Sequence, residues 1–157
     1  MARRTASGGY VGLIARSELS TTSLLEVEAS KATYGPRLLI SSKSPPTVKT
    51  RTVVDANESD LRLFTSMVEK ASRDMVASGG QQLLEVRPLQ KTTLGGRPAL
   101  FSEAIHTTKE GRNMVVRQYL VPTDEQELRF TFHVAVDDQK SLLPLIQRVE
   151  SSVTIDR

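Results

Sequence analysis

A chain of 157 residues with 4% aromatic residues, no Trp and no Cys fits one domain whose core rests on Leu, Val and Ile. The lack of Cys excludes disulfides, thiolate nucleophiles and Cys-based zinc sites, and no apolar run reaches the roughly 18 to 20 residues that cross a bilayer, so a soluble chain is expected. The net charge of +3 is unevenly spread: residues 1–56 carry eight Lys/Arg against four Asp/Glu, residues 123–157 four against seven, a dipolar surface that suits a protein partner at least as well as nucleic acid.

Residues 1–22 form a basic arm rich in Ser, Thr and Gly, with Arg3, Arg4 and Arg16 and no acid before Glu18. Such a segment reads as a docking arm or as the remnant of an organelle-targeting presequence, which leaves an organelle interior and the cytoplasm both open. A single domain is expected over 23–157. Its first strands are "SLLEVEAS" (23–30) and "RLLIS" (37–41), joined through a turn at Gly35-Pro36. The β-branched run "TVKTRTVV" (47–54), entered through Pro45-Pro46, predicts a third strand.

The period then changes. From Asn57 to Ser78, Leu61, Phe64, Val68, Ala71 and Met75 recur at helical spacing, with Leu63 and Met67 alongside. Asn57 is placed to cap this helix, Asp60 sits where its dipole favours negative charge, and Gly79-Gly80 ends it. Strands follow at 82–90, 98–107, 112–121 and 127–136. The last alternates Leu128, Phe130, Phe132, Val134 and Val136 on a core face with Arg129, Thr131, His133 and Ala135 on the other. "TKEGR" and "PTDEQE" read as hairpin connections. A final helix from near Ser141 buries Leu142, Leu145, Ile146 and Val149, with Pro144 placed in its first turn, and "SSVTI" closes the chain. "LLEVEASKATYGPRLLIS" (24–41) and "LLEVRPLQKTTLGGRPALFS" (83–102) share enough to suggest one strand-turn-strand solution used twice.

No catalytic, cofactor-binding or metal site emerges. Gly95-Gly96 sits between two strands instead of between a strand and a helix, and no Gly-Lys-Ser/Thr follows, so these glycines supply a turn and not a phosphate loop. His106 and His133 lie in separate strands whose register the sequence leaves open, and both stay unassigned. Asp124, Glu125 and Glu127, like Asp137 and Asp138, are expected to solvate loops and cap a helix. No Gly-x-Ser-x-Gly elbow exists. Nucleic-acid binding is not favoured, because the aromatics that stack single strands are scarce and Phe130 and Phe132 read as core.

The order of elements defines an α+β domain: an antiparallel β-sheet of about six to seven strands covered by one long and one short helix. The stretches "ESDLRLFTSMVEKA", "LLEVRPLQKTTLGGRPALFSEAI", "RNMVVRQYLVPTDEQELRFTFHVA" and "LLPLIQRVESSVTI" resemble the PsbP/DcrB/Mog-like superfamily over about residues 47–155. That family's "P-x-G-W" strand entry is absent. Its members are mostly non-catalytic: accessory subunits of photosystems, envelope lipoproteins, a Ran-binding import factor and adaptor chaperones for type VI secretion effectors. The resemblance therefore implies a non-enzymatic accessory or adaptor subunit for a larger or membrane-associated protein assembly, needing no cofactor. The partner contacts expected are Arg3, Arg4, Arg16, Arg97, Arg112 and Arg117, together with the sheet's outer face. The alternative is a chaperone-like cradle for a hydrophobic peptide or effector segment.

Overall fold

The computed structural model describes residues 36–155 throughout and, before them, the strand backbone at Arg16–Ser17 and Thr21–Glu28. In chain order the elements are β1 (Arg16–Ser17), β2 (Thr21–Glu28), β3 (Arg37–Lys43), α1 (Thr50–Asp55), α2 (Glu58–Ser78), β4 (Gln82–Val86), β5 (Gln90–Leu94), β6 (Arg97–Thr107), β7 (Asn113–Pro122), β8 (Glu127–Ala135), a 3-10 turn (Val136–Asp138) and α3 (Gln139–Ser152). The strands form one antiparallel sheet in the order β1-β2-β3-β8-β7-β6-β4, with β5 pairing beside β4 on β6. The expected α+β architecture is present. The Gly35 turn, Arg3 and Arg4, and the side chain of Arg16 lie outside the described residues.

Both faces of the central strands are covered. On one, Leu128, Phe130, Phe132 and Val134 of β8 join Tyr119 and Val121 of β7, and α3 closes over them with Ile146. On the other, Val53 of α1 packs with Leu89 and Leu100, and α2 lays Leu61, Phe64 and Val68 against them. Thr131 and Ala135, on the side of β8 expected to face outward, are therefore buried too, and no outer face remains on these strands.

α2 behaves as its sequence dictates. Asn57 accepts a hydrogen bond from the Asp60 N–H at 3.0 Å while Asp60 accepts from the Asn57 N–H at 2.9 Å, a reciprocal capping box. Glu58–Arg62 and Glu69–Arg73 pair one turn apart, in the favourable order with the acid first. Asn57→Ala is expected to cost about 1 kcal/mol and to lower the thermal unfolding midpoint, read by circular dichroism at 222 nm. The inward stripe departs from expectation in its last turns, where Ala71 and Met75 are exposed and Ser72 and Val76 face the sheet.

Three other expectations are corrected. Residues 47–54 do not form a strand. Thr47 and Val48 are tied to Glu127, and Thr50–Asp55 turns into a helix that buries Val53, a tertiary override of β-branched propensity. Pro144 is not in the first turn, because α3 begins at Gln139 and so places it inside the helix. Its ring cannot donate to the Lys140 carbonyl, but both residues are exposed, so water can reach that oxygen. The paired "LLEV" segments are not one solution used twice: β2 pairs directly with β3, whereas β4 and β5 each pair with β6 and not with one another.

Candidate functional site

Along β6, β7 and β8 the register sets which residues share a face. His106 pairs with Met114 and Met114 with Ala135, while Ala104 pairs with Val116 and Val116 with His133. Both histidines thus point to the α2 side, two strands and one residue pair apart, about 12 Å between Cα atoms by strand geometry. Arg37 lies opposite His133 on β3. The sequence could not supply this register, since the two histidines are joined only through the pairing of three strands. The alternation within each strand was the one usable signal.

Above these residues α2 leaves a cleft of about 590 Å³. Its cause is local. The inward positions of the second half of α2 are Val68, Ser72 and Val76, and beneath them lie Ser102 and Ala104; side chains this small cannot fill the gap between a helix and a sheet. Leu39, Leu83, Val86, Met114 and Val116 supply apolar walls, and Gln118 and Thr131 hydrogen-bond to each other at 3.2 Å on the floor. The lining residues include Arg37, His106 and His133, with no Asp or Glu among those described. Burial, then the proximity of His106 and Arg37, pushes His133 down to about 4, so it is neutral at pH 7. The Nδ1 atom of His106 is buried without a hydrogen-bond partner among the described residues.

The arginines singled out in the sequence do not form one patch. Arg97 starts β6 and borders a polar depression with Asp124 and Glu125, whereas Arg112 precedes β7 at the other end of the sheet, roughly 30 Å away along β6. Arg117 faces α3. Its guanidinium donates to Glu103 at 3.2 Å and to Glu150 at 3.3 Å and lies 5.0 Å from the Phe101 ring centre. Glu103 also binds Arg87. Tyr119 donates to Glu150 at 2.6 Å, and burial followed by that bond pushes its hydroxyl up to about 12. This network fastens α3 to the sheet. Glu127 is likewise no loop solvator: it is 0% exposed. Among the described residues no group of three or more His, Asp or Glu is arranged to hold a metal ion.

No protein-family model matches the chain, and no curated protein sequence matches it. Solved structures do. Cyanobacterial PsbP (CyanoP) from Synechocystis sp. PCC 6803 superposes with a TM-score of 0.59 at 16% identity, covering 92% of this chain and 80% of that one. LpqN of Mycobacterium tuberculosis, involved in cell envelope biogenesis, gives 0.53 at 11% identity over 99% and 89%. PA94 of Pseudomonas aeruginosa, a protein of unknown function described as a putative regulator, gives 0.52 at 12% over 90% and 87%. The chain therefore has a PsbP-like fold.

Proposed function

We propose that this protein is a non-catalytic accessory or adaptor subunit that binds and stabilises a larger protein assembly. The observation that carries the reading is the outward side of α2, where Leu63 and Met67, one helical turn apart, are 59% and 61% exposed. Large apolar side chains aligned on a surface helix mark a contact surface more often than scattered ones do. With both faces of the central strands covered, this helix takes the place of the sheet face as the docking element. The PsbP-like fold supports the same reading by analogy, and fold alone goes no further. No helix among the described residues is long and apolar enough to cross a membrane.

The test is gradient sedimentation of native extract. The wild-type chain is expected to co-sediment with a large assembly, and a photocrosslinker at position 67 to join it to one component. The double substitution Leu63→Glu, Met67→Glu is expected to return the chain to the top of the gradient with its melting midpoint unchanged. A wild-type chain that sediments freely, or a double variant that still co-sediments, overturns the reading.

The cleft favours a second reading, a chaperone-like binder of a hydrophobic peptide or effector segment. It expects an extended apolar peptide to displace a dye that reports exposed apolar surface in the free protein.

A further inference from the structure

We infer that the cleft between α2 and the sheet is a binding site for an uncharged, flat aromatic molecule of the phenol class, lying between Ser72 on the helix and Ala104 on the sheet with its hydroxyl at His133. The inference goes beyond the accessory reading and stands without it, because it concerns the inner side of α2 and not Leu63 and Met67.

Three observations carry it. The first is charge. Arg37, at the border of the cleft, is already engaged within the protein, and the β2–β3 register sets Glu28 opposite it, so its positive charge is not held in reserve for an anion. No carboxylate stands among the described lining residues to meet a cation. The floor offers Ser102, Gln118, Thr131 and His133, the last kept neutral at pH 7 by its burial. Bringing an ion among uncharged groups costs far more than bringing a neutral molecule.

The second observation is what a neutral imidazole asks for. It carries one N–H donor and one bare nitrogen acceptor. A hydroxyl can both donate and accept, whereas a carboxylate only accepts and an ammonium only donates. His106 Nδ1, though without a partner among the described residues, is sealed off by burial, which leaves His133 as the imidazole for the head group.

The third is shape. Val86, Ala104, Val116, His133 and Arg37 stand opposite one another across five neighbouring strands, a floor about 19 Å wide by strand spacing. Above it the opening is only as deep as the side-chain layer that Ser72, Ser102 and Ala104 leave unfilled. A slot this wide and thin suits a flat ring, which also loses less freedom on confinement than a flexible chain does. The thioethers of Met75 and Met114 line it, and methionine sulfur favours aromatic neighbours. The volume of about 590 Å³ falls in the range of small-molecule sites, which are mostly apolar with few polar groups fixing orientation. An extended peptide fits less well. It brings an N–H and a C=O at every residue, each needing a partner, and the floor strands already spend their backbone groups on one another.

Isothermal titration calorimetry of the full chain at pH 7 tests it, with 2-naphthol as the probe. One-to-one binding is expected. Naphthalene, which lacks only the hydroxyl, should bind about fivefold more weakly, and 2-naphthoate and 2-naphthylmethylammonium, charged negatively and positively, at least tenfold more weakly. Ser72→Trp fills the slot and should abolish binding at an unchanged melting midpoint. His133→Leu removes the polar partner and should bring 2-naphthol and naphthalene to equal affinity, which keeps the inference open to refutation where S72W fails to fold. Absence of 2-naphthol binding, equal binding of naphthalene or of either charged analogue by the wild-type chain, a hydroxyl preference that survives H133L, or undiminished binding by folded S72W would each overturn it. Tighter binding of 1-octanol than of 2-naphthol would overturn it in favour of a flexible chain, and displacement of 2-naphthol by an amidated apolar nonapeptide of higher affinity in favour of a peptide groove.

Discussion

Glu127→Gln is expected to lower the free energy of unfolding by about 3 kcal/mol at pH 7, the cost of removing one partner from a buried charged cluster. The side chain is fully buried. Its Oε2 accepts from the Thr47 N–H at 3.1 Å, the Thr47 hydroxyl at 2.6 Å and the Val48 N–H at 3.2 Å, and its Oε1 accepts from Arg129 Nε at 2.8 Å. Burial alone would raise this carboxyl, but the bonds from Thr47 and Arg129 outweigh it and hold the group below the ordinary carboxylate range. A depressed folded-state value means stability that is present above the unfolded value of about 4.5 and lost as the pH falls through the folded one. The gap between wild type and E127Q, measured by urea unfolding, should therefore be full at pH 7 and shrink in acid. A gap of equal size at pH 7 and pH 2.5 would show that the carboxylate charge is not what holds residues 47–48.

Gly95→Ala is expected to cost about 3 kcal/mol, combining left-handed backbone strain with overpacking. Gly95 and Gly96 have φ of +57° and +76° and form the two-residue turn between Leu94 and Arg97, where both central residues must be left-handed. A Cβ on Gly95 would stand 2.9 Å from Ile155 Cγ1 and 3.2 Å from the Ile155 N, whereas one on Gly96 would meet nothing within 4 Å. Gly96→Ala should consequently cost only the strain, about 1–2 kcal/mol. Thermal unfolding of the two variants separates the terms. Equal losses would mean that the contact between the turn and the chain's closing segment contributes nothing.

These two sites also show what the sequence could and could not convey. The glycine pair, flanked by alternating residues, announced a hairpin corner, and Asn57 with Gly79-Gly80 announced both ends of α2, because caps and turns are chosen by residues a few positions away. The segment 47–54 misled for the opposite reason: its conformation answers to Glu127, 80 residues distant, and no local window contains that partner. The cleft was hidden in the same way. Nothing near His106 or His133 signals the other, and only the pairing of β6, β7 and β8 brings them to one face. Arg117 looked like a surface cation because the acids that engulf it, Glu103 and Glu150, lie 14 and 33 residues off.

The division of one flank of the sheet between β4 and β5 protects the molecule from its own kind. β6 runs for 11 residues, yet its outer partners are two strands of five residues each, paired to Ala104–Thr107 and Arg97–Phe101. Between them the chain crosses at Arg87, whose N–H donates to the Glu103 carbonyl at 2.9 Å. An uninterrupted border strand would offer a ready template for a foreign β-segment, the usual seed of aggregation. Here an intruder would find at most five residues in line, interrupted by an arginine clamped to a buried acid, and could not zip along the full length.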